Sequence, residues 1–358
     1  MEEKQDLLSL DKAELETLLL SIGEPRYRAA QMFSQLQHGR APEEMTNIGK
    51  QTREKLAAVA VYSLPRVRQK LVSALDGTVK YLFELADGHC VESVLMHYEH
   101  GTTICISSQV GCAMGCKFCA STIGGRVRNL TVSELLGQVI AAARDSGERI
   151  GGIVMMGIGE PLDNFDNVVK FLQLVNHPEG QNIGYRHISL STCGLVDRID
   201  RLAALALPIT LSISLHAPDD ETRSAIMPIN RRYPIAALLD ACRRYYAKTG
   251  RRISFEYTLI AGKNDAPEAA KRLALLLNRS LRTRTESMPI HVNLIPVNEV
   301  EETGFQRAGK QAVARFAAVL EENGIRATVR RKLGADINAS CGQLRRADLK
   351  EKNGENNK

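Results

Sequence analysis

The sequence predicts an α/β fold: a partial (β/α)6 barrel preceded by an N-terminal helical domain and a short β-rich connecting segment. Three observations lead there. Leu15, Leu18, Leu19 and Ile22, and again Ala30, Phe33 and Leu36 after Pro25, recur at helical spacing. Between residues 67 and 108 the period changes: Val79–Phe83 and Val91–Leu95 read as strands, with Asp76-Gly77 and Asp87-Gly88 as turns. From about residue 102 onward, strands and helices alternate, which is the pattern of a parallel sheet.

Taken in order, residues 1–62 form the helical accessory domain, 63–101 the connecting segment, 102–334 the barrel and 335–358 a C-terminal segment ending in a disordered tail. Barrel strands are expected near 103–107, 150–156, 186–191, 209–215, 253–260, 291–296 and 326–331. Thr131-Val-Ser-Glu134 is a capping box that opens the first barrel helix. Further helices are expected over 165–175, 197–207, 234–248, 267–277 and 306–322. About six such units suit an open barrel rather than a closed eight, and a doubly wound sheet is the alternative.

The chain has 358 residues, 44% hydrophobic and 25% charged, enough for a sizeable core. The start has no basic, apolar leader and no stretch approaches the roughly 20 apolar residues of a membrane helix, so a cytoplasmic monomer without a membrane partner is expected. In that reducing setting the eight cysteines argue against a disulfide framework. Cys90, Cys193 and Cys242 are scattered and read as small core residues. Net charge is +6, unevenly placed: residues 1–200 carry 20 Lys/Arg against 24 Asp/Glu, and residues 201–358 carry 27 against 17. The basic half is either a solvated face or a surface for nucleic-acid phosphates.

The strongest chemical signal is Cys112-Ala-Met-Gly-Cys116-Lys-Phe-Cys119. So short a loop can bring three thiolates to one metal centre, and thiolates suit zinc or an iron–sulfur cluster. Structural zinc takes four ligands, usually in two pairs, so a zinc reading needs Cys105 or a distant cysteine as the fourth. Three thiolates on a four-iron, four-sulfur (4Fe-4S) cluster leave one iron open, free to chelate the amino and carboxylate groups of S-adenosylmethionine (SAM). The loop resembles that of the radical SAM superfamily.

Parallel barrels place their active sites at the C-terminal ends of the strands. The unusual residues fall there: the triad after the first strand, Gly157-Ile-Gly159-Glu160-Pro161 after the second, Ser191-Thr-Cys-Gly194 after the third, Ser214-Leu215-His216-Ala-Pro218 after the fourth and Pro296-Val-Asn298 after the sixth. Cys341 lies beyond the last. Gly159 would let the backbone approach a ligand, and Glu160 can hold SAM's ammonium. Ser191, Ser214, Leu215, His216 and Asn298 complete the expected cofactor site, the polar members offering neutral hydrogen-bonding groups.

Together with Cys105-Ile-Ser-Ser-Gln-Val-Gly-Cys112, Arg128-Asn-Leu-Thr131 and Ala339-Ser-Cys341-Gly-Gln-Leu344, these motifs resemble the RlmN/Cfr family of radical SAM RNA adenine methyltransferases over residues 10–347. The C2-methylating branch is the nearer one. The resemblance implies methylation of C2 of an adenine in 23S ribosomal RNA and of the adenosine 3′ to the anticodon in tRNAs. It implies two SAM molecules per turnover and an electron donor such as flavodoxin or ferredoxin. It further implies that Cys341 carries the methyl group, that a radical made from the second SAM activates it, that Glu92 accepts a proton, and that Cys105 releases product through a transient disulfide. The alternatives are C8 methylation of the same ribosomal adenine and a zinc-stabilised RNA-binding protein. Candidate RNA surfaces are Arg26, Arg28, Arg53 and Lys55 in the first domain and Arg251-Arg252 in the second half.

Overall fold

The computed structural model describes residues 4–282, 287–300, 302–337, 339 and 342–355. Cys341 lies outside the described residues. The chain opens with strand β1 (Gln5–Asp6), helices α1 (Lys12–Ser21), α2 (Tyr27–Gln37) and α3 (Lys50–Val59), and strand β2 (Ala60–Val61), which pairs in parallel with β1. Leu15, Leu19, Phe33 and Leu36 are buried, as their helical spacing requires. Asp11 and Glu14 cap α1 reciprocally. The domain's apolar core continues into that of the barrel.

The connecting segment contains β3 (Arg66–Val72), β4 (Val79–Glu84) and β5 (Cys90–Tyr98), joined antiparallel. It is not a separate unit. β5 pairs with β6 (Gly101–Cys105), the first barrel strand, so the three strands extend the barrel sheet. After β6 come a short hairpin, β7 (Gln109–Gly111) and β8 (Arg126–Asn129), and helix α4 (Val132–Ser146), which the foreseen capping box opens.

Six parallel strands follow: β9 (Ile150–Met155), β10 (Ile188–Thr192), β11 (Thr210–Ser214), β12 (Ile253–Leu259), β13 (Ile290–Pro296) and β14 (Arg326–Val329). The helices beside them are α5 (Phe165–Asn176), α6 (Val196–Ala204), α7 (Asp220–Ile226), α8 (Ile235–Thr249), α9 (Pro267–Leu281) and α10 (Lys310–Glu322). The ten-stranded sheet runs β14-β13-β12-β11-β10-β9-β6-β5-β4-β3. Its parallel part curls strongly. In a flat sheet β9 and β14 would stand about 24 Å apart, five strand spacings. Instead, Arg330 just beyond β14 donates to the Met156 sulfur just beyond β9 at 4.0 Å. The curl gathers the strand ends around one mouth, as the partial-barrel expectation requires.

One expectation changes. Residues 350–355, read as part of a disordered tail, belong to helix α11 (Gln343–Glu355). The physical cause is tertiary: Glu92 accepts from the Gly342 and Arg345 amides, and Arg68 Nε donates to Asp348 at 2.7 Å, so the helix is nucleated by its anchors. Arg251-Arg252 precede β12, at the strand end opposite the barrel mouth, so they do not border the cavities described below. In the first domain, Arg26 pairs with Glu16, Arg28 with Glu24 and Lys55 with Glu24, while Arg53 donates to the Ile48 and Glu43 carbonyls. Those cations are largely engaged within the domain.

The C-terminal segment is also held on its other side. Asp76 in the β3–β4 turn accepts from the Gly334 amide at 2.9 Å, and Asp336 accepts from Ser73 Oγ (2.6 Å) and the Ala74 amide (2.8 Å). Burial works against ionisation of Asp76, but the hydrogen bonds from Gly334, Thr78 and Ser73 outweigh it and hold the carboxyl down at about 2. A depressed carboxylate contributes stability above its unfolded value near 3.9 and loses it as pH falls through the folded value. Docking of residues 334–337 should therefore weaken between about pH 4 and pH 2, and Asp76→Asn should loosen it at neutral pH. Amide exchange at Gly334 measures this, and wild-type protection in the variant would contradict it.

Candidate active site

The cysteine loop is held at both ends. Cys112 follows β7, and its amide donates to the Gly125 carbonyl at 3.1 Å, closing the hairpin beneath the loop. Gly111 is needed there: its φ is +78°, and a Cβ would meet the Gly125 carbonyl oxygen at 2.0 Å. Within the loop the Cys119 amide donates to the Cys116 carbonyl, and the Lys117 amide donates to the Ile226 carbonyl at the end of α7. Gln109 links this hairpin to the next strand end: its side chain donates to Asn129 and Asp163 and accepts from the Glu160 amide at 2.9 Å.

Cys112, Cys116 and Cys119 line one cavity of about 210 Å³, with Glu160, Ser191, Ser214 and His216 around the rest of its wall. Among the described residues no three His, Cys, Asp or Glu side chains are grouped as one shared metal ion would need. In a four-iron cube each thiolate binds its own iron, so three separated sulfurs suit it. Burial pushes the Cys112 thiol up to about 12, and burial together with the neighbouring thiols pushes Cys116 up further. Buried thiols of this kind stay protonated and weakly nucleophilic unless a metal displaces the proton.

Glu160 is buried, and its carboxylate accepts from the Leu162 amide (3.0 Å) and the Cys193 amide (2.7 Å). Burial pushes this carboxyl up, and the two amides oppose the shift. Gly159 lines the same cavity, and at its φ of +109° a Cβ would strike Gln109 and Ser108 within 2.6–2.7 Å, so the glycine is also needed to make room for its protein neighbours. Leu215 is fully buried in the hydrophobic core and does not line the cavity; its carbonyl accepts from Arg223 Nε at 3.0 Å.

His216 has a left-handed backbone, φ +58°, which costs a non-glycine residue about 1 kcal/mol. Its Nδ1 accepts from the Thr258 amide at 2.9 Å, leaving the proton on Nε2, and Phe118 from the cysteine loop meets the ring edge-on at 5.1 Å. Burial, aided by Arg223, holds the imidazole down at about 3.

A second cavity of about 330 Å³ adjoins the first, and Phe118, Cys119, Thr258, Ile295 and Arg330 line both. Cys105, at the end of β6, lines the second cavity, as does Asn298. Ala339 packs on the cluster formed by Val94, Met96 and Cys105. At its mouth stand four exposed cations, Arg307, Arg330, Arg331 and Lys332. Gly342 lies against the cysteine loop: a Cβ there would sit 2.9–3.1 Å from Ser121 and Ala120. The described residues on either side of Cys341 thus border Cys105 and the cysteine loop.

Glu92 is buried on β5. It accepts from the Gly342 amide (2.8 Å) and the Arg345 amide (2.7 Å) and pairs with Lys80 at 3.2 Å. Removing one partner of a buried pair costs roughly 3–5 kcal/mol. Sequence reasoning did not single out Lys80, Arg223 or Glu256. Arg223 is fully buried and donates to the carbonyls of Leu215, Cys193 and Ser214 behind the first cavity. Glu256 lines that cavity, bonded to Ser254 and Asn293. A lone Lys or Glu inside a strand carries no motif. The one available signal was the presence of charged residues at positions that a half-buried strand makes apolar.

Three cysteines on a loop after the first parallel strand, facing a ring of strand-end polar groups, define a radical SAM enzyme, which works with a 4Fe-4S cluster and SAM. The Radical SAM superfamily model matches residues 106–274, and the model for the ribosomal RNA large subunit methyltransferase N-terminal domain matches residues 5–61. The chain is 50% identical over 345 residues to the probable dual-specificity RNA methyltransferase RlmN of Alkaliphilus metalliredigens, covering 96% of each. It is 48% identical over 351 residues to that of Clostridium acetobutylicum, covering 98% of this chain and 99% of the relative. A crystal structure of a radical SAM methyltransferase from Sphaerobacter thermophilus superposes with a TM-score of 0.88 at 44% identity, covering 95% of this chain and 98% of that one. The chain belongs to the RlmN family of radical SAM RNA methyltransferases. No helix among the described residues is long and apolar enough to cross a membrane.

Because His216 stays neutral down to about pH 3, SAM affinity should show no titration near pH 6.5. Equilibrium binding of SAM to the cluster-loaded protein across pH 5.5–7.5 checks this. A transition near 6.5 that disappears in His216→Gln would contradict it.

Proposed function

We propose that this chain methylates C2 of an adenine in 23S ribosomal RNA and of the adenosine 3′ to the anticodon in tRNAs, using Cys341 as the methyl carrier. The observation that carries this reading is the pair of adjoining cavities. One is walled by the three cysteines and the strand-end polar groups, and the other by Cys105 and the basic mouth. The relatives' names, which give dual-specificity RNA methyltransferases, support the substrate class.

In this reading Cys112, Cys116 and Cys119 hold the cluster. Glu160 takes SAM's ammonium, and Ser191, Ser214, His216 and Asn298 offer neutral hydrogen bonds to the rest of the molecule. When bound, the cluster and SAM supply a 5′-deoxyadenosyl radical, at the expense of one electron from a donor such as flavodoxin or ferredoxin. C2 of adenine is not nucleophilic, so the protein has to bring a carbon-centred reactant to it. Cys341, methylated by a first SAM, provides that carbon once a hydrogen has been removed from its methyl group by way of a second SAM. In this reading Glu92, which accepts from the amide of the residue after Cys341, takes the proton that leaves C2. Once the adduct has also given up its unpaired electron to a one-electron acceptor, the Cys105 thiolate attacks the Cys341 sulfur: the sulfur–carbon bond breaks with its electron pair on carbon, which takes a proton to complete the methyl group, a disulfide forms, and the methylated base departs. The buried Cys105 thiol waits beside the cavity, shielded from solvent until then.

The target base must leave its stack to enter the second cavity. Arg307, Arg330, Arg331 and Lys332 stand where the flanking phosphates would pass. Replacing two of them should weaken RNA binding and flatten its salt dependence by about two counterions. The mechanism is tested more directly by Cys105→Ala. Without the resolving thiol, RNA should stay covalently attached through Cys341 and migrate with the protein on denaturing gels. An active preparation that forms no adduct would rule out the two-cysteine route.

A further inference from the structure

Helix α11 has an unusual start. In a capping box, the amide of the N-cap residue and the amide three residues on are satisfied by two side chains of the same helix. Here the corresponding amides, Gly342 and Arg345, both donate to one carboxylate from another element, that of Glu92 on β5. The partial positive charge of the helix start favours an anion there. Lys80, on the neighbouring strand β4, completes the arrangement: its ammonium sits 3.2 Å from Glu92, and both side chains are about 1% exposed. Lys80 lines neither cavity.

Position gives this arrangement its consequence. Gly342 directly follows Cys341, has a φ of +82°, and touches the end of the cysteine loop at Ser121 and Ala120. On the other side of Cys341, Gly334 and Asp336 are tied to the β3–β4 turn. The stretch between the two ties is short, so the place of its reactive cysteine depends on where Glu92 holds the start of α11. A buried carboxylate keeps a defined position only when a partner offsets its lost hydration.

We propose that Lys80 is a positioning residue for methyl transfer: its buried ammonium fixes Glu92 on the first turn of α11 and thereby fixes the backbone beside Cys341 against the cysteine loop. The inference rests on the reading of Cys341 as the methyl carrier.

The test uses cluster-loaded Lys80→Met and Lys80→Arg proteins with two readouts. One is amide exchange over residues 342–346. The other is the ratio of 5′-deoxyadenosine formed to methyl groups delivered to a ribosomal RNA fragment. Lys80→Met should speed exchange there about tenfold, leave β4 and β5 protected and raise the ratio severalfold, while Lys80→Arg should recover part of both. Wild-type exchange and ratio in Lys80→Met would overturn the proposal, and so would a loss of protection spread evenly over β4 and β5. If Lys80→Met does not fold, the apolar double variant Lys80→Leu/Glu92→Leu keeps the sheet; a protected first turn of α11 in it would overturn the proposal. Cys341→Ala separates the two readings. Methylation surviving in that variant defeats the carrier assignment, whereas exchange in Lys80→Met tests the anchor whatever the carrier.

Discussion

The curl of the parallel sheet is the constraint on which the site depends. Each strand contributes one or two polar groups at its C-terminal end, and none of these strands could form a site alone. The contact between Arg330 and Met156 joins the ends of strands five places apart in the sheet. That closure lets the cysteine loop, Glu160, Ser191, Ser214 and His216 face one another across a single cavity. Behind the cavity, Arg223 holds the third and fourth strand ends together through their carbonyls, and Gln109 ties the first to the second.

The antiparallel extension of the sheet has a second role. Strands β3 to β5 do more than space the helical domain from the barrel. Their turn holds Gly334 and Asp336, and their inner strand holds the start of α11. The segment that includes Cys341 is therefore anchored on both sides by the same small sheet. The two anchors fix the described ends of that short stretch, Gly334 and Asp336 before it and Gly342 after it.

Much of this was legible in the sequence, for a physical reason. Strand-end motifs stand out because glycine, proline, histidine and cysteine interrupt the apolar pattern of buried parallel strands. The triad, Glu160, Ser191, Ser214 and His216 were found in that way, and the structure brings them together. Other residues could not be read from local pattern. That Gly159, which lines the first cavity, also makes room for Gln109 could not be read, because which neighbour fills the missing Cβ is a tertiary fact. Leu215 shares a motif with His216 yet points into the core. That Arg251 and Arg252 lie at the end of the barrel away from the mouth follows from strand direction, which the local sequence does not carry. Lys80 was invisible because its partner lies on another strand and their joint target on the last helix. Helix α11 was missed because its start is stabilised by Glu92 rather than by its own cap.

In the proposed carrier mechanism the methyl carbon reaches adenine by way of Cys341, after losing a hydrogen, rather than directly from SAM. Methylation with SAM bearing a fully deuterated methyl group, followed by mass analysis of the modified nucleoside, tests this claim most directly. The carrier route gives 2-methyladenosine whose methyl group keeps two deuteriums and gains one hydrogen, with the third deuterium found in 5′-deoxyadenosine. A product that keeps all three deuteriums, or carries its methyl group at C8, would contradict it.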